Sequence, residues 1–257
     1  MISGSNVPQI EFEGVTKSYG TGRIVLQSID LQVLKGEFIS IIGPSGCGKS
    51  TVLKLISGLT PASSGTIHVD GMTPQNARET MSFIFQDATL LPWRTVTGNV
   101  GLGLELEHVI TKRRTESVAS LLQLVGLDEV AEAYPRELSG GMRMRASIAR
   151  ALATNPRLLL MDEPFAALDE MTRDRLNEEL LRLRAEQGWT AVFVTHSVAE
   201  AVFLSTRIVV LAPRPGRVHE ILGVNLPFPR TTEMRQCAEY EKLVAHVSHV
   251  LREAFAQ

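Results

Sequence analysis

The sequence predicts an α/β fold, a P-loop core with a mainly parallel sheet, carrying an antiparallel β subdomain at the N-terminus and an inserted α-helical subdomain. Three observations carry this expectation. The apolar run Phe38–Ile42 leads directly into Gly43-Pro44-Ser45-Gly46-Cys47-Gly48-Lys49-Ser50-Thr51, a strand followed by a glycine-rich loop and a helix start. Other short apolar runs end in a polar side chain, at Gln86, Asp162 and His196, and ligands of open parallel sheets collect at that carboxyl edge. Between Asp87 and Pro156 the texture turns to helical spacing.

Composition sets the outer limits. A chain of 257 residues can bury a substantial core, and it reads as a single domain. Its 26 basic and 28 acidic residues leave a net charge of −2, so no general field draws it to nucleic acid or an anionic membrane. The cysteines are Cys47 and Cys237, and pairing the first would distort the glycine loop; a reducing compartment, the cytoplasm, is expected. No apolar stretch approaches the ~18 residues of a membrane span. Met1–Pro8 lacks the charged and apolar regions of a signal peptide. Any membrane role is therefore expected to come through a partner.

Taken in order, Gln9–Val15 and Ser28–Val33 alternate apolar with polar residues, as antiparallel strands with one wet face do. Lys17-Ser18-Tyr19-Gly20 reads as the turn between them. Phe38–Ile42 is apolar nearly throughout, as in a strand covered on both faces. The loop that follows has the pattern G-x-x-x-x-G-K-[ST], whose glycines let backbone N–H groups converge on phosphate oxygens. Lys49 is placed to reach the β- and γ-phosphates and Ser50 to hold Mg²⁺, while the helix start directs its positive end at the same charge. That helix stops at Gly58, Pro61–Gly65 turns into the strand Thr66–Val69, and Asp70-Gly71 signals a hairpin. Met81–Phe85 is a further buried strand ending at Gln86.

Thr111–Leu124 carries Val118, Leu121 and Leu122 at helical spacing, with Val125 continuing it, and the helical subdomain is set at roughly 87–156. It includes Leu138-Ser139-Gly140-Gly141-Met142 before the helix Arg143–Ala153, a second place where N–H donors could meet an anion or simply be capped. Leu158–Met161 closes on Asp162-Glu163-Pro164. A carboxylate at the end of a buried strand suits a cation, and its neighbour can accept a proton from water, although a helix-capping acid is the plainer alternative. The helix Asp169–Gln187 ends at Gly188; Thr190–Thr195 delivers His196, and Ser197 caps the next helix. Arg207–Leu211 is another strand, Pro213–Arg217 a basic surface turn, and the amphipathic tail over roughly 231–256 a helix packed on its own domain.

These pieces, in this order, resemble the ATP-binding subunit of an ABC transporter over nearly the whole chain. Gly43–Ser50 is similar to the Walker A loop, Leu158–Asp162 to Walker B, Leu138–Met142 to the signature, Gln86 to the Q-loop, Ala167-Leu168-Asp169 to the D-loop and His196 to the switch histidine. The resemblance implies an ATPase using ATP and Mg²⁺. It places Tyr19 on adenine, Gly43 to Thr51 around the phosphates, and Ser50, Gln86 and Asp162 on the metal. Glu163 then polarises the attacking water, His196 contacts the γ-phosphate, and Lys49 stabilises the charge. Two subunits face head to tail, so Ser139, Gly140, Gly141 and Asp169 serve the shared interface.

Leu90–Val96 and Ala212–Arg217 look like the importer ATPases for nitrate, sulfonates and taurine, in which integral membrane permeases and, indirectly, a solute-binding protein are partners. Trp93 is then expected to be exposed where a permease docks, against the alternative of internal packing. Met144 departs from the glutamine common in that subgroup, which bears on interface detail. The resemblance also implies a cytoplasmic protein peripheral on the inner face of the membrane. A soluble ABC ATPase acting on nucleic acid or ribosomes is the competing reading; it lacks the tandem cassettes or coiled-coil insertions usual there. A non-hydrolysing regulator lacks support because Glu163 and His196 are both present.

Overall fold

Two sheets meet at the glycine loop. The computed structural model describes residues 8–20, 22–228 and 230–256; the leader reading of residues 1–7 lies outside them. Strands β1 (Pro8–Tyr19), β2 (Arg23–Leu34) and β4 (Ser64–Val69) form an antiparallel sheet ordered β2-β1-β4. The second sheet is ordered β5-β6-β7-β3-β8-β9, from β3 (Phe38–Ile42), β5 (Met81–Ile84), β6 (Leu158–Asp162), β7 (Thr190–Val194), β8 (Arg207–Ala212) and β9 (Arg217–Gly223). It is parallel except for β9, which runs antiparallel to β8.

Strands β3, β6 and β7 are buried at every position, which explains why they are apolar nearly throughout. Each divides its side chains between two cores. From β3, Phe38 and Ile42 face the side covered by the later helices, while Ile39 and Ile41 face α1 (Lys49–Ile56) and the antiparallel sheet. The first core takes in α5 (Gly140–Ala153), α6 (Glu170–Gln187), α7 (Val198–Leu204) and α8 (Ala238–Phe255), with Phe38 against Trp189 and Phe193. Between β5 and β6 lie α2 (Val96–Val100), α3 (Leu102–Leu106), α4 (Thr111–Leu124) and α5. Among the described residues no helix is long and apolar enough to cross a membrane.

Several boundaries differ from the sequence reading. The first two strands extend to Tyr19 and from Arg23, so Lys17, Ser18 and Tyr19 lie in a strand and not in its turn. Register shifts between Phe12 and Val15 and between Val15 and Ser18, with Gly14 at φ 56° and Ser28 at φ 46°, interrupt the alternation that would have extended both strands. Asp70-Gly71 does make a tight turn, with Val69 and Met72 exchanging backbone hydrogen bonds of 2.9 and 3.0 Å. No strand returns from it: Pro74 follows at once, and the chain enters a short 3-10 turn at Arg78–Thr80. The helix read from Arg143 starts at Gly140. Strand β9 was not read, because its polar alternation is that of an edge strand; nor were α2 and α3, whose glycines weaken any helical signal.

Candidate functional site: a phosphate loop at the tips of four neighbouring strands

The strands β5, β6, β7 and β3 stand side by side, and from their carboxyl ends come Gln86, Asp162 with Glu163, His196 and Gly43. Sheet order thus assembles residues that lie up to 153 positions apart in the chain. Helix α1 opens immediately after the loop. Its N-cap is Gly48, at φ 101°, with no capping side chain and no acid in the first turn, so the N–H groups there have no anion of the protein's own. The left-handed backbone and the closeness of Leu26, whose Cδ2 lies 2.5 Å from where a Cβ at position 48 would sit, both require glycine.

Lys49 is 5% exposed, and its Nζ donates to the carbonyls of Gly43 at 2.9 Å and Pro44 at 3.1 Å. It makes no ion pair with a carboxylate among the described residues; carbonyl dipoles hold it directly, and the Asp162 carboxylate acts on it from further away. An ammonium held this way fits a phosphate. Asp162, 6% exposed, accepts from Ser50 Oγ at 3.0 Å. Burial raises its carboxyl above the ordinary value, and the nearby Glu163 adds to the rise, while the Ser50 hydrogen bond works against it. A buried carboxylate whose hydrogen-bond partner is one hydroxyl fits a hard cation that takes oxygen ligands. Among the described residues no cluster of three His, Cys, Asp or Glu side chains surrounds a metal position, so any such ion would draw on Ser50, an amide and the substrate as well as Asp162.

Glu163 is held at φ 50°, uncommon for a residue with a side chain, by its N–H donating 2.9 Å to the Val194 carbonyl on β7. The turn directs its carboxylate to His196 Nε2 at 2.5 Å and Gln86 Nε2 at 3.5 Å. A cavity of about 440 Å³ opens among these groups, lined by Ser45, Gly46, Gly48, Lys49, Ser50 and Thr51 of the loop and helix start together with Gln86, Glu163 and His196. Cys47 lies buried beneath the loop, and Cys237 is also a free thiol.

Other sequence candidates stand outside that cavity. Tyr19 is 42% exposed, with Lys17 Nζ 4.7 Å from its ring centroid on one face. Ser139 caps α5 by accepting from Met142 N at 3.2 Å; Ser139 and Gly140 are exposed, Gly141 is half-buried, and none of the three lines the cavity of its own chain. Asp169 caps α6, and the Thr172 N–H it accepts, at 3.0 Å, lowers its carboxyl below the ordinary value. Trp93 is 70% exposed, which excludes the internal packing considered for it. Met144 is 2% exposed within the core, so its departure from glutamine concerns packing under α5 and not an interface.

The Pro213–Arg217 turn exposes Arg214 and Arg217, as a solvated basic turn does, but its glycine is a structural part of the site. Gly216 is buried; its N–H donates to the Val25 carbonyl at 2.8 Å and its carbonyl accepts from Gln27 N–H at 2.8 Å. The turn thereby presses on the phosphate loop so closely that a Cβ at position 216 would sit 1.9 Å from the Cys47 carbonyl oxygen. Arg150 on α5 was also missed: it donates to the carbonyls of Ala88 at 3.2 Å and Thr89 at 2.9 Å, tying that helix to the segment after Gln86. The glycine in Pro-Arg-Pro-Gly-Arg was the one available signal for the first; nothing local signals the second.

An uncapped helix after a buried strand, a buried lysine and two adjoining strand-end carboxylates define a P-loop nucleotide-binding protein. A family model for ABC transporters matches residues 26–166, more than half of the chain. An uncharacterized ABC transporter ATP-binding protein of Methanocaldococcus jannaschii is 43% identical over 93% of this chain and 91% of its own. An aliphatic sulfonates import ATP-binding protein of Bacillus cereus is 42% identical over 91% of this chain and 94% of its own. A nitrate import ATP-binding protein of Synechocystis is 42% identical over 89% and 88%. Among solved structures, a dimeric ATP-binding cassette in a post-hydrolysis state with ADP and phosphate aligns at TM-score 0.78 and 32% identity, covering 85% of this chain and all of that one. The chain belongs to the ABC transporter ATP-binding family and is an ATPase of that family.

Proposed function

We propose that this chain is the ATP-hydrolysing subunit of an importer for a small solute such as nitrate, a sulfonate or taurine, working through separate membrane subunits. One observation carries the chemistry: Lys49, Ser50, Gln86, Glu163 and His196 line a single cavity at the mouth of an uncapped helix. The import assignment is supported by the relatives named for sulfonate and nitrate import.

In this reading the loop amides from Gly43 to Thr51 and Lys49 cradle the triphosphate of ATP, and Tyr19 offers its face opposite Lys17 to adenine. Ser50, Gln86 and Asp162 would hold Mg²⁺, which would supply neutralisation of charge on the phosphate oxygens. Glu163 takes the proton of the attacking water, and His196, at hydrogen-bond distance from it, orients that carboxylate and meets the γ-phosphate. Ser139–Gly141 and Asp169 face the nucleotide of a second copy in a head-to-tail pair; the dimeric state of the solved neighbour supports the pairing of two copies. Residues 87–156 act as a helical subdomain presenting Trp93 to the permease, and the tail helix over 231–256 stays with its own domain. The protein then sits on the inner face of the membrane through the permease, served indirectly by a solute-binding protein and with no nucleic-acid partner.

Replacing Lys49 by Ala tests the core of this reading. ATP affinity is expected to fall by at least about tenfold, the loss of one charge-assisted contact. Equilibrium binding of a fluorescent ATP analogue at wild-type affinity would overturn the phosphate assignment.

A further inference from the structure

The turn that carries His196 is held from behind by a carboxylate that the reaction itself does not use. Glu200, in α7, is 6% exposed. Thr195 Oγ1 donates to Glu200 Oε2 at 2.5 Å and accepts from Ser197 N at 3.0 Å, while Ser197 Oγ accepts from Glu200 N at 3.2 Å. His196 therefore sits between two residues whose side chains both close on Glu200. The other carboxylate oxygen, Oε1, lies 3.5 Å from Arg173 Nε on α6. Arg173 in turn donates from Nη2 to the Leu168 carbonyl at 2.9 Å, within the turn Ala167-Leu168-Asp169.

Burial of Glu200 would be costly without these partners. Arg235, the remaining cation facing it, is engaged by Asp174 at 2.9 Å. Arg173 Nε makes no directional hydrogen bond at its present distance, so charge alone holds the pair. A movement of under ~1 Å would bring it to the ~2.8 Å of a charge-assisted bond. Glu200, Arg173, Glu163 and His196 all line one small cavity of about 210 Å³.

We propose that Glu200 and Arg173 are a positioning pair that couples the His196 turn to the Ala167–Asp169 turn. The histidine's reach toward the γ-phosphate and the segment facing the second copy are then set together. This rests on the reading of His196 given above. Neither residue touches the nucleotide; each acts through a neighbouring turn.

The test uses the full chain at saturating protein, with ATP varied from well below to well above its KM. Glu200→Gln keeps the shape and an oxygen for Thr195 but removes the charge that Arg173 meets. Its kcat is expected to fall by about 10- to 10²-fold, the scale of a small displacement of a catalytic group. KM for ATP should stay within about twofold, and the Hill coefficient for ATP should drop toward one as the two copies lose coupling. Arg173→Met should show the same split, and the double variant should be no worse than the more impaired single one. A folded Glu200→Gln protein with wild-type kcat and Hill coefficient overturns the proposal, as does a loss that merely follows a lowered melting temperature. His196→Ala is run alongside. If it hydrolyses ATP at the wild-type rate, the reading of the histidine fails and the pair has nothing to position. If it is inactive while Glu200→Gln is normal, only the coupling fails.

Discussion

Gly216→Ala adds one methyl group outside the cavity, yet the geometry makes it a perturbation of the phosphate loop. The new Cβ would meet the Cys47 carbonyl oxygen at 1.9 Å, Leu26 Cδ2 at 2.9 Å and the Val25 carbonyl oxygen at 3.0 Å. A carbon–oxygen contact ordinarily settles near ~3.3 Å, so about 1.4 Å of displacement must be found. The 216 side cannot supply all of it, because both its backbone groups are committed to β2. Cys47 has to move, and with it the amides on either side. Overpacking of this kind costs about 1–3 kcal/mol, and at ~2–4 °C per kcal/mol the melting temperature should fall by several degrees. A loop displaced by ~1 Å should also lose on the order of 10²-fold in kcat/KM. Gly223→Ala, in the same hairpin but with nothing within 4 Å of its Cβ position, is the control and should behave as wild type. The assays are thermal melting and steady-state phosphate release. A Gly216→Ala protein that melts and turns over normally would show that the turn does not support the loop.

Further outcomes follow from the same geometry. Glu163→Gln keeps the backbone turn and should retain ATP binding while phosphate release slows by about 10²–10⁴-fold; normal hydrolysis would remove Glu163 as the base. Asp162 binds its proton more tightly folded than unfolded because burial raises it above 3.8. The stability gained from that proton is complete below the unfolded value and disappears as pH rises through the folded one, leaving a buried charge at neutral pH. Asp162→Asn should therefore raise the melting temperature at pH 7 by about 2–4 °C, with the gain vanishing near pH 3.8, while phosphate release is lost. A lower melting temperature at pH 7 would refute the argument. Trp93→Ala, at a side chain 70% exposed, should leave melting and the activity of the isolated protein unchanged but weaken co-purification with membrane subunits.

Much of the site was legible because each contributing strand is short and mostly apolar and runs straight into a conspicuous residue, the loop glycine Gly43 or one of Gln86, Asp162 and His196. Phe38–Ile42 before Gly43 and Leu158–Met161 before Asp162 needed no distant information. Sheet order did: nothing local to Met81–Ile84 says that it pairs with Leu158–Met161. The bulges at Gly14 and Ser28 hid the length of the first two strands by breaking their period. Gly216 looked like any turn glycine, since its contact with Cys47 spans 169 positions of sequence. Glu200 and Arg173 lie on two different helices with nothing local to join them, and only the packing of α6 against α7 makes them a pair.

The side-by-side seating of β5, β6, β7 and β3 also separates two kinds of change in chain length. Ten residues spliced into the exposed turn near His108, or a nick there, would leave every pairing in the central sheet as it is and the spacing of the reactive groups with it. Deleting one residue inside a five-residue strand such as Leu158–Asp162 would swap its two faces, sending core methyl groups to the wrong helices and turning Glu163 away from His196. Length is thus free in the connections and quantised in the strands, and drift in this chain has wide room in the one and almost none in the other.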